Sequence, residues 1–153
     1  MDTTTILIVE TETFIARQVG PVTANIWINV NGSEFPKHGW NDFVVVLLGW
    51  WATALLRLIH NVTGQETVYF MDGPYAVEIV KVASGTLQFR MLEGPDRKRE
   101  VSVGEGEVKI LITDLTSQSR KILDLCRLHD WWSADAETLE TKLVELEHEA
   151  LHK

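Results

Sequence analysis

The residues most able to do chemistry lie at the end of the chain, where His148-Glu149-Ala150-Leu151-His152 fits H-E-x-x-H. In that pattern two histidines one helical turn apart grip zinc and the glutamate between them activates water. Three features favour a charged helix end instead. Only Lys153 follows in this sequence, His148 falls opposite the apolar stripe of its helix, and a final helical turn frays where a catalytic metal needs a rigid shell. A second set, His38, Asp42 and Asp72, offers acid and base groups, but helix capping and turn formation explain both aspartates. Ser33, Ser84 and Ser102 lack a G-x-S-x-G elbow. In Gly104-Glu105-Gly106 the central glutamate would repel a phosphate. Cys126 sits in an apolar-periodic stretch and reads as a buried, inert thiol. The expectation is no catalytic residue, no metal and no cofactor.

Aromatic and acidic residues point instead to contact with another protein. Six tryptophans occur in 153 residues. Helical spacing sends Trp40, Trp50 and Trp51 to the core, and Trp131-Trp132 falls between two helices, where at least one ring should wedge the joint. Trp27 shares its strand face with Asn25 and Asn29. A tryptophan among asparagines is a candidate contact anchor, and cover by a loop or by the N-terminal strand is the alternative. From Asp135 to Glu149 the acids Asp135, Glu137, Glu140, Glu145, Glu147 and Glu149 face one Lys142. That ridge is either a solvated helix face or a surface for a basic partner, and Glu137, Glu140, Glu145 and Glu147 are its candidate contact residues.

Composition narrows the classes. The net charge is −8, from 14 basic and 22 acidic residues. The one basic cluster, Arg97-Lys98-Arg99, sits between Asp96 and Glu100 after a Gly-Pro turn, so no nucleic-acid footprint is present. An acidic surface attracts a basic protein. One cysteine suits a reducing compartment. The start, Met1 to Thr5, lacks the basic region of a secretory signal, and the longest uncharged apolar run, Phe43 to Leu56, is shorter than the roughly 20 residues of a membrane span. The expectation is a cytoplasmic protein that meets neither membrane nor nucleic acid.

The elements that must hold these residues are a strand-rich first third, a long helix, a meander and two helices. Ile6 to Val9 and Phe14 to Val19 are candidate strands, and Ile26, Ile28 and Val30 alternate with Trp27 before an Asn31-Gly32 turn. From Trp40 to about Ile59 apolar residues cover nearly the whole circumference of a helix, with Asn41 or Asp42 as its N-cap, so it must be buried on several sides. Val68 to Met71, Tyr75 to Val80 and Leu87 to Met91 form three strands punctuated by Asp72-Gly73-Pro74, Ala83-Ser84-Gly85 and Glu93-Gly94-Pro95-Asp96. A fourth short strand runs from Glu100 to Val103, and Gly104-Glu105-Gly106 then breaks the pattern. Helical spacing follows to about Leu128, although 108–112 also reads as a strand. Ala136, Leu139, Leu143, Leu146 and Ala150 stripe the last helix. The sum is a single-domain α+β fold, an antiparallel sheet of about five to six strands with one buried central helix and two C-terminal helices on one face.

Two stretches carry a resemblance. Phe35-Pro36-Lys37-His38-Gly39-Trp40-Asn41-Asp42-Phe43, running into Leu48-Gly49-Trp50-Trp51, and Phe70-Met71-Asp72-Gly73-Pro74-Tyr75 resemble small bacterial immunity proteins of contact-dependent and other polymorphic toxin systems. The resemblance covers residues 35 to 75 in detail and the rest in layout. It implies a cytoplasmic protein that binds and blocks one cognate toxin domain, often a nuclease, by direct occlusion, and it transfers no catalytic residue. A small intracellular enzyme and a homo-oligomeric scaffold are the alternatives. A deep pocket holding shifted titratable groups would favour the enzyme, and an open acidic or mixed surface the binder.

The zinc motif gives the first test. Purified protein is expected to hold no stoichiometric zinc, and His148→Ala with His152→Ala to change stability by less than about 0.5 kcal/mol, as for ordinary surface substitutions. Metal analysis and thermal melting check this, and zinc retained through chelation would sink it.

Overall fold

Alternating apolar residues in the first third pair as β1 (Leu7–Ile15), β2 (Thr23–Val30), β3 (Ser33–Phe35) and β4 (Asn41–Asp42). The strand expected at Ile6 to Val9 runs on to Ile15 as β1, and of the second, Phe14 to Val19, only Phe14 and Ile15 are strand. The computed structural model describes residues 5–151, so His152 and the polar start Met1 to Thr4 lie outside the described residues. This first sheet runs β1-β2-β3, with β4 also pairing to β2, all antiparallel. The meander forms a second antiparallel sheet in the order β5 (Gln65–Tyr69), β6 (Tyr75–Ala83), β7 (Thr86–Glu93) and β8 (Arg99–Glu107). Among the described residues three helices complete the α+β fold: α1 (Val44–Ile59), α2 (Val108–Leu128) and α3 (Ala134–Leu151).

Among the described residues the strands number eight, and they divide into two four-stranded sheets where one sheet was expected. The cause lies in α1. Its apolar side chains leave little polar surface, so one sheet face cannot cover it. β2 of the first sheet, β5 of the second, α2 and α3 all pack on it. Eleven of its residues are buried, among them Leu47, Leu48, Trp51, Leu55 and Leu58. The helix begins at Val44, after Phe43, with no side-chain cap. Asn41 and Asp42 therefore do not cap it; they pair with Asn25 and Ala24 as β4. Trp50 also departs from expectation, since it is 40% exposed while Trp51 is fully buried. The two positions are about 100° apart on the helix, and the four covering elements leave one narrow strip open.

Gly104 and Gly106 were read as a break, yet both lie inside β8, paired with Phe89 and Leu87. They are small because the first sheet passes close by. A Cβ on Gly104 would lie 2.6 Å from Val30 Cγ1 and 2.9 Å from Asn31 Nδ2, and one on Gly106 would lie 2.7 Å from Ile6 Cδ1. The glycines let the two sheets meet without pairing. The three predicted meander turns hold.

Residues 108–112 belong to α2, which buries Leu111, Ile112, Leu115, Ile122, Leu123 and Cys126. Burial pushes the Cys126 thiol up to about 11, which makes it a packing residue. Ser133 starts α3 by accepting from the Ala136 amide at 3.2 Å, and Asp135 and Glu137 sit in the first turn, where the helix dipole favours them. The α3 stripe is buried at Ala136, Leu139, Leu143 and Leu146 against α1 and α2, while Ala150 is exposed. One continuous core joins both sheets and all three helices. Among the described residues no helix is long and apolar enough to cross a membrane.

The two neighbouring indoles should behave differently. Trp51→Ala is expected to cost about 3–5 kcal/mol through lost transfer energy and a cavity, and Trp50→Ala less than about 1 kcal/mol. Chemical denaturation measures both, and equal costs would contradict this packing of α1.

Candidate protein-binding surface

Trp27 is not an exposed anchor. It is 2% exposed. Its indole Nε1–H donates to Glu34 Oε2 at 3.0 Å, and the His38 ring lies over it with centroids 4.7 Å apart. Glu34 comes from β3 and His38 from the loop beyond, so the short return strand supplies the cover. His38 Nδ1 lies 2.8 Å from the same Glu34 oxygen and donates to it. The flanking asparagines are half-buried. Asn25 donates to Glu10 Oε1 at 2.8 Å and accepts from Asn41 at 3.1 Å, while the side-chain oxygen Oδ1 of Asn29 is buried without a partner among the described residues.

Asp42 and His38 do not form an acid–base set. Asp42 accepts from the Trp40 indole at 2.9 Å, the Phe43 amide at 2.7 Å and the Asp72 amide at 3.2 Å. The glutamate of the zinc-like motif is also engaged: Glu149 Oε1 lies 2.8 Å from His60 Nε2 at the end of α1. Among the described residues no cluster of three metal-ligating side chains is present.

The acidic ridge of α3 is largely paired. Glu140 bonds Arg127, Glu147 meets Arg120 at 3.0 Å, Glu145 meets Lys142 at 3.9 Å, and Glu137 accepts from the Trp132 indole at 3.3 Å. Two of these cations come from α2, the helix packed beside α3 in the fold. A count of charges on one helix misses them.

What remains open is the end of the molecule around the α2–α3 joint. Trp131 wedges that joint, half-buried, its indole donating to the Gly20 carbonyl at 3.1 Å. Three hollows share it. The most apolar is a groove of about 420 Å³ whose walls include Val22, Phe43, Val46, Met71 and Trp131, with Asp135 at the rim. Met71 is 46% exposed, and Trp50 lies one helical turn beyond Val46. On the other side of Trp131, the exposed Trp132 ring carries the Arg127 guanidinium 4.3 Å above it, beside Asp130, Glu137 and Glu140. Asp130, Asp135, Glu137 and Glu140 outnumber Arg17 and Arg127 around these hollows. Of the expected contact residues, Glu137 and Glu140 lie here, while Glu145 and Glu147 lie further along α3 and Asn25, Trp27 and Asn29 lie on the first sheet. Trp50 was missed because helical spacing assigns it to the core, and Met71 because it stands as the last residue of an expected strand with nothing in the sequence to mark its surroundings. The Trp-Trp pair at a helix joint was the available signal.

Comparison with protein-family models, with curated proteins and with solved structures gives no match for this chain.

The Trp27 cover depends on pH. The hydrogen bond to Glu34 holds the His38 imidazolium above its ordinary 6.5, and the same bond holds the Glu34 carboxyl below 4.5; Glu10 adds a weaker pull on His38. The His38 contribution is complete below about 6.5 and fades as pH rises through the raised value. The Glu34 contribution is present above 4.5 and fades as pH falls through the lowered one. NMR titration should therefore place the His38 midpoint above 6.5, and Glu34→Gln should return it towards 6.5. An unmoved midpoint in that variant would refute the pairing.

Proposed function

We propose that this protein acts by binding another protein, and that its partner is a bacterial toxin domain with a basic surface, such as a nuclease, which it blocks in the cytoplasm by direct occlusion. The observation that carries the binding reading is the groove at Trp131, with exposed Trp132, Met71 and Trp50 around it and an acidic rim. Exposed tryptophan and methionine beside a preformed hollow are what tight protein contacts use as anchors, because rigid or adaptable apolar groups are desolvated there at small entropic cost. The rim acids suit a basic partner: they speed encounter and orient it, while the anchors govern how long the complex lasts. The choice of a toxin as partner is supported by the resemblance of residues 35–75 and by the acidic balance of the chain.

Co-expression with the toxin domain encoded beside this chain should rescue growth and yield a complex in size-exclusion chromatography. Trp132→Ala and Met71→Ala should each speed dissociation about tenfold or more. Asp130→Lys with Asp135→Lys should slow association and flatten its salt dependence. Reversal of Glu145 and Glu147, away from the groove, should do neither. Absence of rescue, or rescue without a complex, rejects the toxin reading, and anchors that leave dissociation unchanged reject this surface.

A further inference from the structure

At the other end of α1, about 24 Å away for a helix of 16 residues, a second cavity opens between the last turns of α1, the β6–β7 turn and the first turn of α2. Its volume is about 410 Å³, within the range of small-molecule sites. We infer that it binds a small amphipathic carboxylate, a straight-chain monocarboxylic acid of medium length. The inference is independent of the protein-binding surface.

The floor is apolar: Leu55, Leu58, Leu87 and Ile112 are buried, and Ile59 and Val108 are half-exposed at the mouth. An alkyl chain laid there leaves water without stranding a polar group. The rim is where orientation is set. Lys81 stands there half-buried, its ammonium donating to Asn61 Oδ1 at 2.8 Å and, at a long 3.5 Å, to the Leu58 carbonyl. It makes no ion pair among the described residues, in a chain whose net charge is −8. Lys109 and Glu107 also line the rim and lie 3.9 Å apart, so they offset each other and Lys81 leaves the opening positive. Thr86 adds a hydroxyl beside it. The first turn of α2 carries no acidic side chain, and Glu107 at its N-cap is the one acid there, offset by Lys109. A neutral alcohol of equal chain length would fill the floor and leave Lys81 unanswered, and a long-chain acid would overrun the cavity.

The test is a titration of ¹⁵N-labelled full-length protein with sodium octanoate, with octan-1-ol as the uncharged arm. Saturable shifts at the amides of Leu58, Leu87, Val108 and Ile112 are expected with octanoate, and binding about tenfold weaker with octanol, since a charge-assisted contact is lost. Lys81→Met should weaken octanoate about tenfold. Because Lys81 also tethers Asn61, Lys81→Arg serves as the variant that keeps the charge, and it should bind nearly as the native chain does. Val108→Trp, placed at the half-exposed mouth, should abolish saturation. No saturable shift in the native protein overturns the inference. So does equal response to octanoate and octanol, or binding that survives both Lys81→Met and Val108→Trp.

Discussion

Asp42 accepts hydrogen bonds from the Phe43 amide, the Trp40 indole and the Asp72 amide although only 2% of it is exposed. A buried carboxylate with its acceptors filled fixes whatever supplies the donors, because removing it strands several polar groups away from water. Here the donors belong to the entry of α1 and to the turn between β5 and β6, and Asp42 itself is paired to β2. Around it Trp40 meets Tyr75 at 5.2 Å and Phe70 at 6.5 Å, and Phe35 meets Phe70 at 6.0 Å and Tyr75 at 5.6 Å, all edge to face. Gly73 takes φ +113°, and a Cβ there would stand 3.0 Å from Tyr75 and 3.1 Å from Trp40. This junction ties β2, the entry of α1 and the β5–β6 turn to one another.

The junction is also where two stretches of the sequence, residues 35–51 and 70–75, come together. Their residues explain one another as structure: tryptophan, aspartate and glycine are each required by a neighbour from the other stretch. Such a motif specifies how a helix is set between two sheets. It does not specify what the surface meets, and the exposed residues around the α2–α3 joint, apart from Met71 and Trp50, lie outside it.

Local patterns were legible wherever one interaction determines one residue. Gly-Pro and Ser-Gly turns punctuate the meander, and the heptad stripe of α3 was readable because one side of that helix is wet and the other dry. Residues with two possible reasons were not. A glycine in a strand signals a break or a close approach, and only the position of Val30, Asn31 and Ile6 shows that Gly104 and Gly106 are the second kind. Trp27 looked open because its strand neighbours are asparagines, while its cover, Glu34 and His38, arrives from another element. The acidic ridge looked bare for the same reason: Arg120 and Arg127 lie on α2. The groove was invisible because it is a property of four separate segments, and periodicity describes only one at a time.

The start of β1 has its own long-range tie. The amides of Ile6 and Leu7 donate to a single carboxylate oxygen of Asp114, at 2.7 and 3.0 Å, across 108 and 107 residues of chain. β1 is the outer strand of the first sheet, and α2 is what closes its exposed flank. On a ribosome adding about 5–20 residues each second, the β1–β2 hairpin waits roughly 5–20 s before the helix that guards it has been made. During that interval the hairpin presents an unpaired edge and the apolar face meant for α1, the kind of surface that recruits other chains. The order of synthesis thus places the strand before the helix whose carboxylate ties it, and the last half of the polypeptide completes the cover of the first.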